Sequence, residues 1–171
     1  MRAVHVLDAL DVLNALDVLT APGLRVWLDG GWGVDALLGE QTRPHEDVDL
    51  VVELEAVPDV LEALGTLGFA VAEDRIPVRL VLRTADGRQA DLHLVTLAED
   101  GTGTQQGASP DGSDCTYPAE GFGEGRILGR VVPCLSPEVQ RAHHRGYEPR
   151  DRDRVDMERL ANHFGLTQEE P

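Results

Sequence analysis

The chain has 171 residues, of which 42% are hydrophobic, so it is long enough for one sizeable core and has the composition of a globular protein. Its formal net charge is −16, from 31 acidic and 15 basic residues, and every basic residue is an arginine. The absence of lysine excludes a Walker A loop and Schiff-base chemistry, and the acidity disfavours a nucleic-acid partner while it favours a cationic ligand.

The N-terminal segment is predicted to form an amphipathic helix over residues 4–20. Leucine or valine recurs in it at spacings of three or four residues, at Val6, Leu10, Leu13, Leu16 and Leu19. Three acidic residues interrupt the apolar sequence, at Asp8, Asp11 and Asp17. The segment therefore fits neither a signal peptide nor a membrane span, and we expect a cytoplasmic protein with no membrane partner.

The next segment predicts strands that alternate with helices. Residues 24–28 predict a first strand, and the sequence DGG ends it in a turn that leads into a short helix over residues 32–38. A polar connection follows, in which Pro44 prevents a continued helix. A second strand is predicted over residues 47–53 and a further helix over residues 57–69. This order favours a mixed sheet that helices cover on one side.

The second half of the chain predicts two hairpins and two helices. The sequences VRLVLRT and QADLHLV flank an Asp-Gly pair, which is typical of an antiparallel hairpin. Residues 98–123 are rich in Gly, Ser, Asp and Thr and predict a long loop. A second hairpin is predicted to turn at Gly129. One helix should begin after Ser136 and end near His144, another should span residues 152–164, and the tail after it should fray.

Two aspartates carry the main functional signal. Successive side chains of a strand face opposite ways, so Asp47 and Asp49 share one face while Val48 and Leu50 point into the core. Two carboxylates so close repel each other, and their hard oxygen atoms favour Mg²⁺ or Mn²⁺ between them. Asp91 has the same parity as His93 in its own strand and would join the pair if the two strands are close together. Three carboxylates around divalent ions are typical of phosphoryl or nucleotidyl transfer.

The sequence DGGWG supplies a second element of such a site. Gly30 and Gly31, at a turn from strand to helix, let the backbone approach a phosphate, and the N-terminus of the helix offers free N–H donors. Because the chain has no lysine, Arg43 is the natural side-chain partner for a triphosphate, and His45 is a second candidate.

Together these residues resemble a known superfamily. Two glycines, a spacer, an acid-x-acid pair and a later acid on a strand are similar to the nucleotidyltransferases typified by DNA polymerase beta. The sequences DGGWGVDALLGEQTRPHEDVDLVV, ADLHLV and CLSPEVQRAHHRGYEPRDRDRVDMERL resemble the small antibiotic nucleotidyltransferases, namely the aminoglycoside 2''-adenylyltransferases and the lincosamide adenylyltransferases. The resemblance covers roughly residues 5–165.

The resemblance implies a fold, a reaction and a site. The fold would be α+β, a polymerase beta-like nucleotidyltransferase domain over residues 1–171 whose C-terminal portion, residues 136–165, is helical. Gly30 and Gly31 would hold the triphosphate of ATP, and Asp47 and Asp49 would bind catalytic Mg²⁺ or Mn²⁺. Asp91 would lie near the metal and act as the general base. The product would be an AMP ester of a small cationic antibiotic, first an aminoglycoside and second a lincosamide, with release of pyrophosphate. Residues 115–129 would border the acceptor.

Other polar and aromatic side chains have simpler interpretations. Trp32 favours a core position, and Asp35 fits a backbone hydrogen bond as well as a substrate contact. For His93 two interpretations are equally supported, namely that it orients Asp91 and that it only packs. His143 and His144 are expected on the surface of a helix, and the RDRDR sequence of residues 150–154 is expected on a solvated face. Tyr147 is a weak candidate for the site.

Two other functions stay open on the sequence. A minimal nucleotidyltransferase of the toxin–antitoxin type would modify a partner protein, although the sequence GGWGVDALLG argues against this type. A non-catalytic protein could instead bind a cationic compound on its acidic surface. Exposed strand edges and the small size of the chain make a homodimer a reasonable expectation.

Overall fold

The structure is a computed structural model that describes residues 6–144 and 148–167. Its helices are α1 (Ala9–Thr20), α2 (Gly30–Leu38), α3 (Val57–Gly65), α4 (Pro137–His143) and α5 (Asp151–Phe164). Asp8 caps α1 by accepting a hydrogen bond from the backbone N–H of Asp11 at 2.9 Å, which explains why this helix begins later than its apolar pattern does. No helix of the described residues is long and apolar enough to cross a membrane. Tyr147 and the last part of the tail, residues 168–171, lie outside the described residues.

The strands are β1 (Val26–Asp29), β2 (Asp47–Glu53), β3 (Ala70–Arg75), β4 (Arg79–Arg83), β5 (Gln89–Leu97), β6 (Gly103–Gln105), β7 (Cys115–Tyr117), β8 (Phe122–Ile127) and β9 (Arg130–Leu135). The main sheet has the order β3-β4-β5-β2-β1-β9-β8. Strand β2 is antiparallel to β1 and parallel to β5, while β1 is parallel to β9. The sheet is therefore mixed, and the predicted α+β class is confirmed.

One face of the sheet, called here the apolar face, packs against α1 and α3. Val48, Leu50 and Val52 of β2 are fully buried on it. Leu92 and Leu94 of β5 join the same cluster. Helices add further large side chains to it, including Leu16, Leu19, Val60, Leu64 and Trp32. This core fixes β2 and β5 side by side, and the predicted burial of Trp32 is confirmed.

The opposite face, called here the carboxylate face, has a smaller apolar cluster. Val51 and Val95 are buried there with Tyr117, Leu135 and Val139. A short extension of the sheet lies next to this cluster, and in it β6 pairs with β5 and β7 pairs with β6. The expectation that only one side is covered was therefore wrong, because β6, β7 and α4 partly cover the second side.

Two elements differ from the sequence expectation. Strand β3 was not predicted, because it lies at the edge of the sheet and most of its side chains are exposed, so no apolar alternation marks it. Residues 98–123 were predicted as a loop but include β6, β7 and the start of β8. Strands of three residues are too short to show a recognisable period. Strand β6 is held by its pairing with β5, and a hydrogen bond of 2.7 Å from the Tyr117 hydroxyl to Gln105 Oε1 joins β7 to β6. Both predicted hairpins are confirmed.

Candidate active site

Three aspartates lie side by side on neighbouring strands of the carboxylate face. In the pairing of β1 with β2, Asp29 is opposite Asp49, and in the pairing of β2 with β5, Asp49 is opposite Asp91. Side chains directly opposite each other point the same way, with Cβ atoms about 4.5–5.5 Å apart. Asp47 lies two residues before Asp49 and shares its face. The structure thus brings Asp47, Asp49 and Asp91 together, as strand parity predicted.

The carboxylates of this cluster repel one another in a partly buried position. Burial, with the charges of Asp49 and Asp91, raises the pKa of Asp47 to about 6. Burial and the charge of Asp49 also raise the pKa of Asp91, although a hydrogen bond from Gln89 Nε2 to Asp91 Oδ1, 2.9 Å long, opposes the change. Such raised values identify a site where a cation would be favourable.

His93 lies on the same face and contacts Asp49. Its Nε2 is 3.0 Å from Asp49 Oδ1. Burial disfavours the charged imidazole, but the hydrogen bond and the charge of Asp49 outweigh burial and raise the pKa of His93 to about 9. His93 therefore carries a positive charge at neutral pH and neutralises part of the cluster. Its direct partner is Asp49 rather than Asp91, the partner considered from the sequence.

The glycine turn lies directly against the carboxylates. Asp29 caps α2 through a hydrogen bond from Gly30 N–H to Asp29 Oδ1, 2.8 Å long, so the two glycines form the first turn of the helix. Gly30 has a φ of +57°, and a Cβ there would collide with the carboxylate of Asp49. A Cβ at Gly31 would collide with the ring of His45. Only glycine lets Asp49 and His45 approach the turn this closely.

A buried group of polar side chains supports the turn. Asp35 accepts hydrogen bonds from the backbone N–H of Thr42 at 3.2 Å and from its hydroxyl at 2.7 Å, and it also contacts His45 Nε2. Asp35 and His45 are only 2% and 3% exposed. The backbone interpretation of Asp35 is therefore confirmed. His45 lies under Gly31, with its Nδ1 toward the turn and its Nε2 toward Asp35.

Arg43 lies beside Gly31 and is held by the C-terminal helix. Its Nε and Nη2 donate to the carboxylate of Asp156 at 3.3 and 2.7 Å. Burial opposes the charge of Arg43, but Asp156 outweighs burial and raises the pKa of the guanidinium. Of residues 150–154, Arg150, Asp151 and Arg154 are exposed, and Arg150 pairs with Asp153, as expected for a solvated face. Asp153 itself is buried against that expectation, and Asp156 is buried as well. The sequence shows alternating charges there, but not that α5 packs against α2.

The other wall of the site comes from β6, β7 and the segment between them. Six residues of this segment line the opening, and all are uncharged: Gln105, Ala108, Ser109, Pro110, Cys115 and Tyr117. We call them the neutral wall. His143 reaches it from α4, with its ring centroid 4.4 Å from that of Tyr117 and its Nε2 3.4 Å from Cys115 Sγ. Burial lowers the pKa of His143. The predicted surface position of this residue was therefore wrong, because α4 turns it toward the sheet.

The carboxylates, the glycine turn, α5 and the neutral wall enclose a cleft of about 600 Å³. Within the described part of the chain, no group of three or more His, Cys, Asp or Glu side chains is preassembled to hold a metal ion. Asp47 and Asp49 still suit Mg²⁺, because they are hard oxygen donors that repel each other, and Mg²⁺ usually keeps waters and takes phosphate oxygens as further ligands. The residues thus fit a metal that arrives with a nucleotide.

Asp29 is the residue of the cluster that the sequence analysis missed. It is the first letter of the DGGWG sequence, but it was read as part of the turn. Trp27 and Asp29 have the same strand parity, and Trp27 packs into the cluster of the carboxylate face. That parity was the available signal. The register that sets Asp29 beside Asp49 depends on strand pairing, which one sequence does not reveal.

Comparisons with known proteins identify the family of the chain. The sequence pattern of the aminoglycoside-2''-adenylyltransferase family matches residues 11–160. A lincosamide resistance protein from Staphylococcus haemolyticus is 34% identical over 134 residues, which are 78% of this chain and 82% of that protein. A 2''-aminoglycoside nucleotidyltransferase from Klebsiella pneumoniae is 41% identical over 116 residues, which are 68% of this chain but only 60% of that protein.

Solved structures show the same likeness. The lincosamide antibiotic adenylyltransferase LnuA, in its lincomycin-bound crystal structure, superposes with a TM-score of 0.81 at 29% identity. The match covers 95% of this chain and 100% of that chain. The resemblance to the small antibiotic nucleotidyltransferases is confirmed, and so is the polymerase beta-like nucleotidyltransferase fold.

Proposed function

The chain belongs to the aminoglycoside-2''-adenylyltransferase family, and we propose that it transfers AMP from ATP to a hydroxyl group of a small antibiotic, with release of pyrophosphate. The observation that carries this proposal is the alignment of Asp49 with Asp91 across β2 and β5, next to the glycine turn. Nucleotidyl transfer requires a pair of carboxylates for a metal, a third carboxylate, and a turn whose backbone N–H groups bind phosphate.

Asp47 and Asp49 would hold the divalent ion, which supplies electrostatic stabilisation of the phosphate charge when it is bound. Gly30 and Gly31 would bring backbone N–H groups to the triphosphate, with Arg43 and His45 beside them. His93 keeps Asp49 oriented through its hydrogen bond. The contacts and charges of these residues in the cleft support these roles.

Asp91 would act as the general base toward the acceptor. It takes the proton of the acceptor hydroxyl, and the oxygen forms a bond to the α-phosphorus while the bond from the α-phosphorus to the bridging oxygen of the β-phosphate breaks. The raised pKa of Asp91 makes its carboxylate a stronger base than an exposed aspartate. Gln89 donates to one oxygen of Asp91 and Arg79 lies 3.7 Å from the other, so the side chain is held in place.

The chemistry of the cleft favours a lincosamide as the acceptor. The neutral wall offers no carboxylate to an ammonium group. Among the carboxylates of the other wall, Asp156 pairs with Arg43 and Asp153 with Arg150. Of the other acidic residues that line the cleft, Asp47 and Asp49 are assigned to the metal and Asp91 to the acceptor hydroxyl, which leaves Asp29 and Glu46 for a polycationic drug. The similarity to the lincosamide resistance protein also supports this order, which reverses the sequence expectation.

An aminoglycoside is the second candidate. The net charge of −16 and the 41% identical relative support it. The experiment is a pyrophosphate-release assay with ATP, Mg²⁺ and a panel that contains lincomycin, clindamycin, tobramycin and kanamycin. We expect the highest kcat/KM with a lincosamide. Release with aminoglycosides alone would establish the second candidate, and no release with any drug would refute the proposed function and return attention to a protein acceptor.

A further inference from the structure

Asp156 is a buried acidic residue that the proposed reaction does not yet use. It is 2% exposed, although most residues of α5 are exposed. A carboxylate is buried at low cost only when a cation pairs with it. The described partner is Arg43, which is 113 positions away in the sequence and lies beside the glycine turn.

The geometry of this pair leaves part of the guanidinium open. Arg43 has five N–H donors. Asp156 engages Nε and Nη2, and Nη1 has only a long contact of 3.4 Å with the carbonyl of Pro44. The Nη2 atom would be 2.9 Å from a Cβ at Gly31, so the group lies against the turn. Asp156 therefore holds the edge formed by Nε and Nη2. The N–H groups of the other edge, which includes Nη1, stay available.

We propose that Asp156 is a positioning residue for the nucleotide, because it fixes the guanidinium of Arg43 where the remaining donors meet the triphosphate. The inference rests on the proposed function, since it names the support of a phosphate-binding residue. It gives α5 a part in nucleotide binding although no residue of α5 needs to touch the nucleotide. A guanidinium that is fixed before binding loses less conformational entropy when the phosphate arrives.

The test compares Asp156→Asn with Glu158→Gln, an exposed acid-to-amide change in the same helix. In Asp156→Asn we expect KM for ATP to rise about ten-fold, while kcat at saturating ATP and KM for the acceptor change less than about two-fold. Glu158→Gln should match the wild type. A Asp156→Asn protein that is folded and has an unchanged KM for ATP would overturn the proposal.

A double-mutant cycle separates positioning from simple structural support. If Asp156 acts through Arg43, Asp156→Asn adds less than about two-fold to the KM for ATP of Arg43→Ala. Independent, multiplying effects would overturn the proposal. If Asp156→Asn does not fold, Arg43→Lys serves instead, because one ammonium group cannot hold the carboxylate and a phosphate together. We expect it to bind pyrophosphate about ten-fold more weakly by calorimetry, and wild-type affinity would contradict the inference.

Failure of this inference is distinguishable from failure of the proposed function. If the wild-type protein turns over ATP with a drug and the Asp156→Asn protein has a normal KM for ATP, only the role of Asp156 is refuted. A wild-type protein that transfers nothing to any acceptor would refute the proposed function. In that case a titration of wild-type and Asp156→Asn protein with pyrophosphate still decides whether Asp156 orders Arg43 for phosphate: weaker binding by Asp156→Asn is expected, and equal affinity would overturn the inference.

Discussion

The two faces of the central sheet have opposite chemistry, although their residues alternate along the same strands. On the apolar face, Val48 and Leu50 are fully buried against helices. On the carboxylate face, Asp47 and Asp49 lie beside Asp91 in a position that raises the pKa of Asp47 to about 6. One face stabilises the fold, and the other places like charges together at a cost in stability.

This difference explains how the fold tolerates the cluster. The apolar side chains on β2 and β5 fix the register of the two strands, because a slip of one residue would move carboxylates into the core. The register in turn holds Asp49 beside Asp91. Substitutions on the two faces should therefore separate stability from catalysis.

The largest expected effect is on turnover, from the carboxylate face. Asp49→Asn removes an expected metal ligand and the partner of His93, so kcat should fall by about 10³-fold, or about 4 kcal/mol, while the far-ultraviolet circular dichroism stays unchanged. Asp59→Asn is the matched control, since Asp59 is exposed on α3, a helix that packs against the apolar face. Substantial turnover by Asp49→Asn would refute the metal-binding role.

On the apolar face the same strand should respond in stability. Leu50→Ala leaves a cavity among fully buried residues, so the free energy of unfolding should fall by about 2–5 kcal/mol, measured by urea denaturation. The KM for ATP of the protein that remains folded should stay near the wild-type value. A large rise in KM with unchanged stability would show that the two faces are not separable in this way.

A smaller effect is expected from pH. Because the pKa of Asp47 is about 6, most of its carboxyl is ionised at pH 7 and about a tenth at pH 5. Metal binding requires the ionised form, so the Mg²⁺ concentration for half-maximal turnover should rise about ten-fold from pH 7 to pH 5. Steady-state assays at both pH values, with circular dichroism to verify folding, measure it. The same Mg²⁺ requirement at both would contradict the expected coordination.

The smallest effect concerns stability without metal. The folded-state pKa of Asp47, about 6, lies above its ordinary value of 3.8, so the group reduces stability as pH rises from about 4 to about 6, and the reduction is complete above that range. Asp47→Asn removes this charge and should raise the melting temperature of chelator-treated protein by about 2–4 °C at pH 7.5, but not at pH 3, where the carboxyl is mostly protonated in both states. A lower melting temperature at pH 7.5 would contradict the repulsion inferred here.

The fold could be predicted where a pattern of burial is strong. Strand β2 has the predicted bounds, and the hairpin of β4 and β5 follows from an Asp-Gly pair between alternating sequences. Strands β3, β6 and β7 could not be predicted in this way, because edge strands and strands of three residues have too little buried surface to leave a period in the sequence.

The candidate site could be predicted where it depends on local parity. The shared face of Asp47 and Asp49 is a property of any strand, and the conditional placement of Asp91 beside them is confirmed by the pairing of β2 with β5. Asp29 and Asp156 were missed. Their positions depend on strand register and on the packing of a distant helix, which a single sequence does not show. The catalytic and binding roles of all these residues stay predictions.

The most direct measurement is the mass of a drug after incubation with the protein, ATP and Mg²⁺. The account predicts that lincomycin gains one AMP group, that pyrophosphate appears in equal amount, and that neither happens with the Asp49→Asn protein or with a chelator. Unmodified lincomycin and unmodified aminoglycosides, after incubation with protein shown to be folded, would contradict the assignment of adenylyl transfer to the carboxylate face.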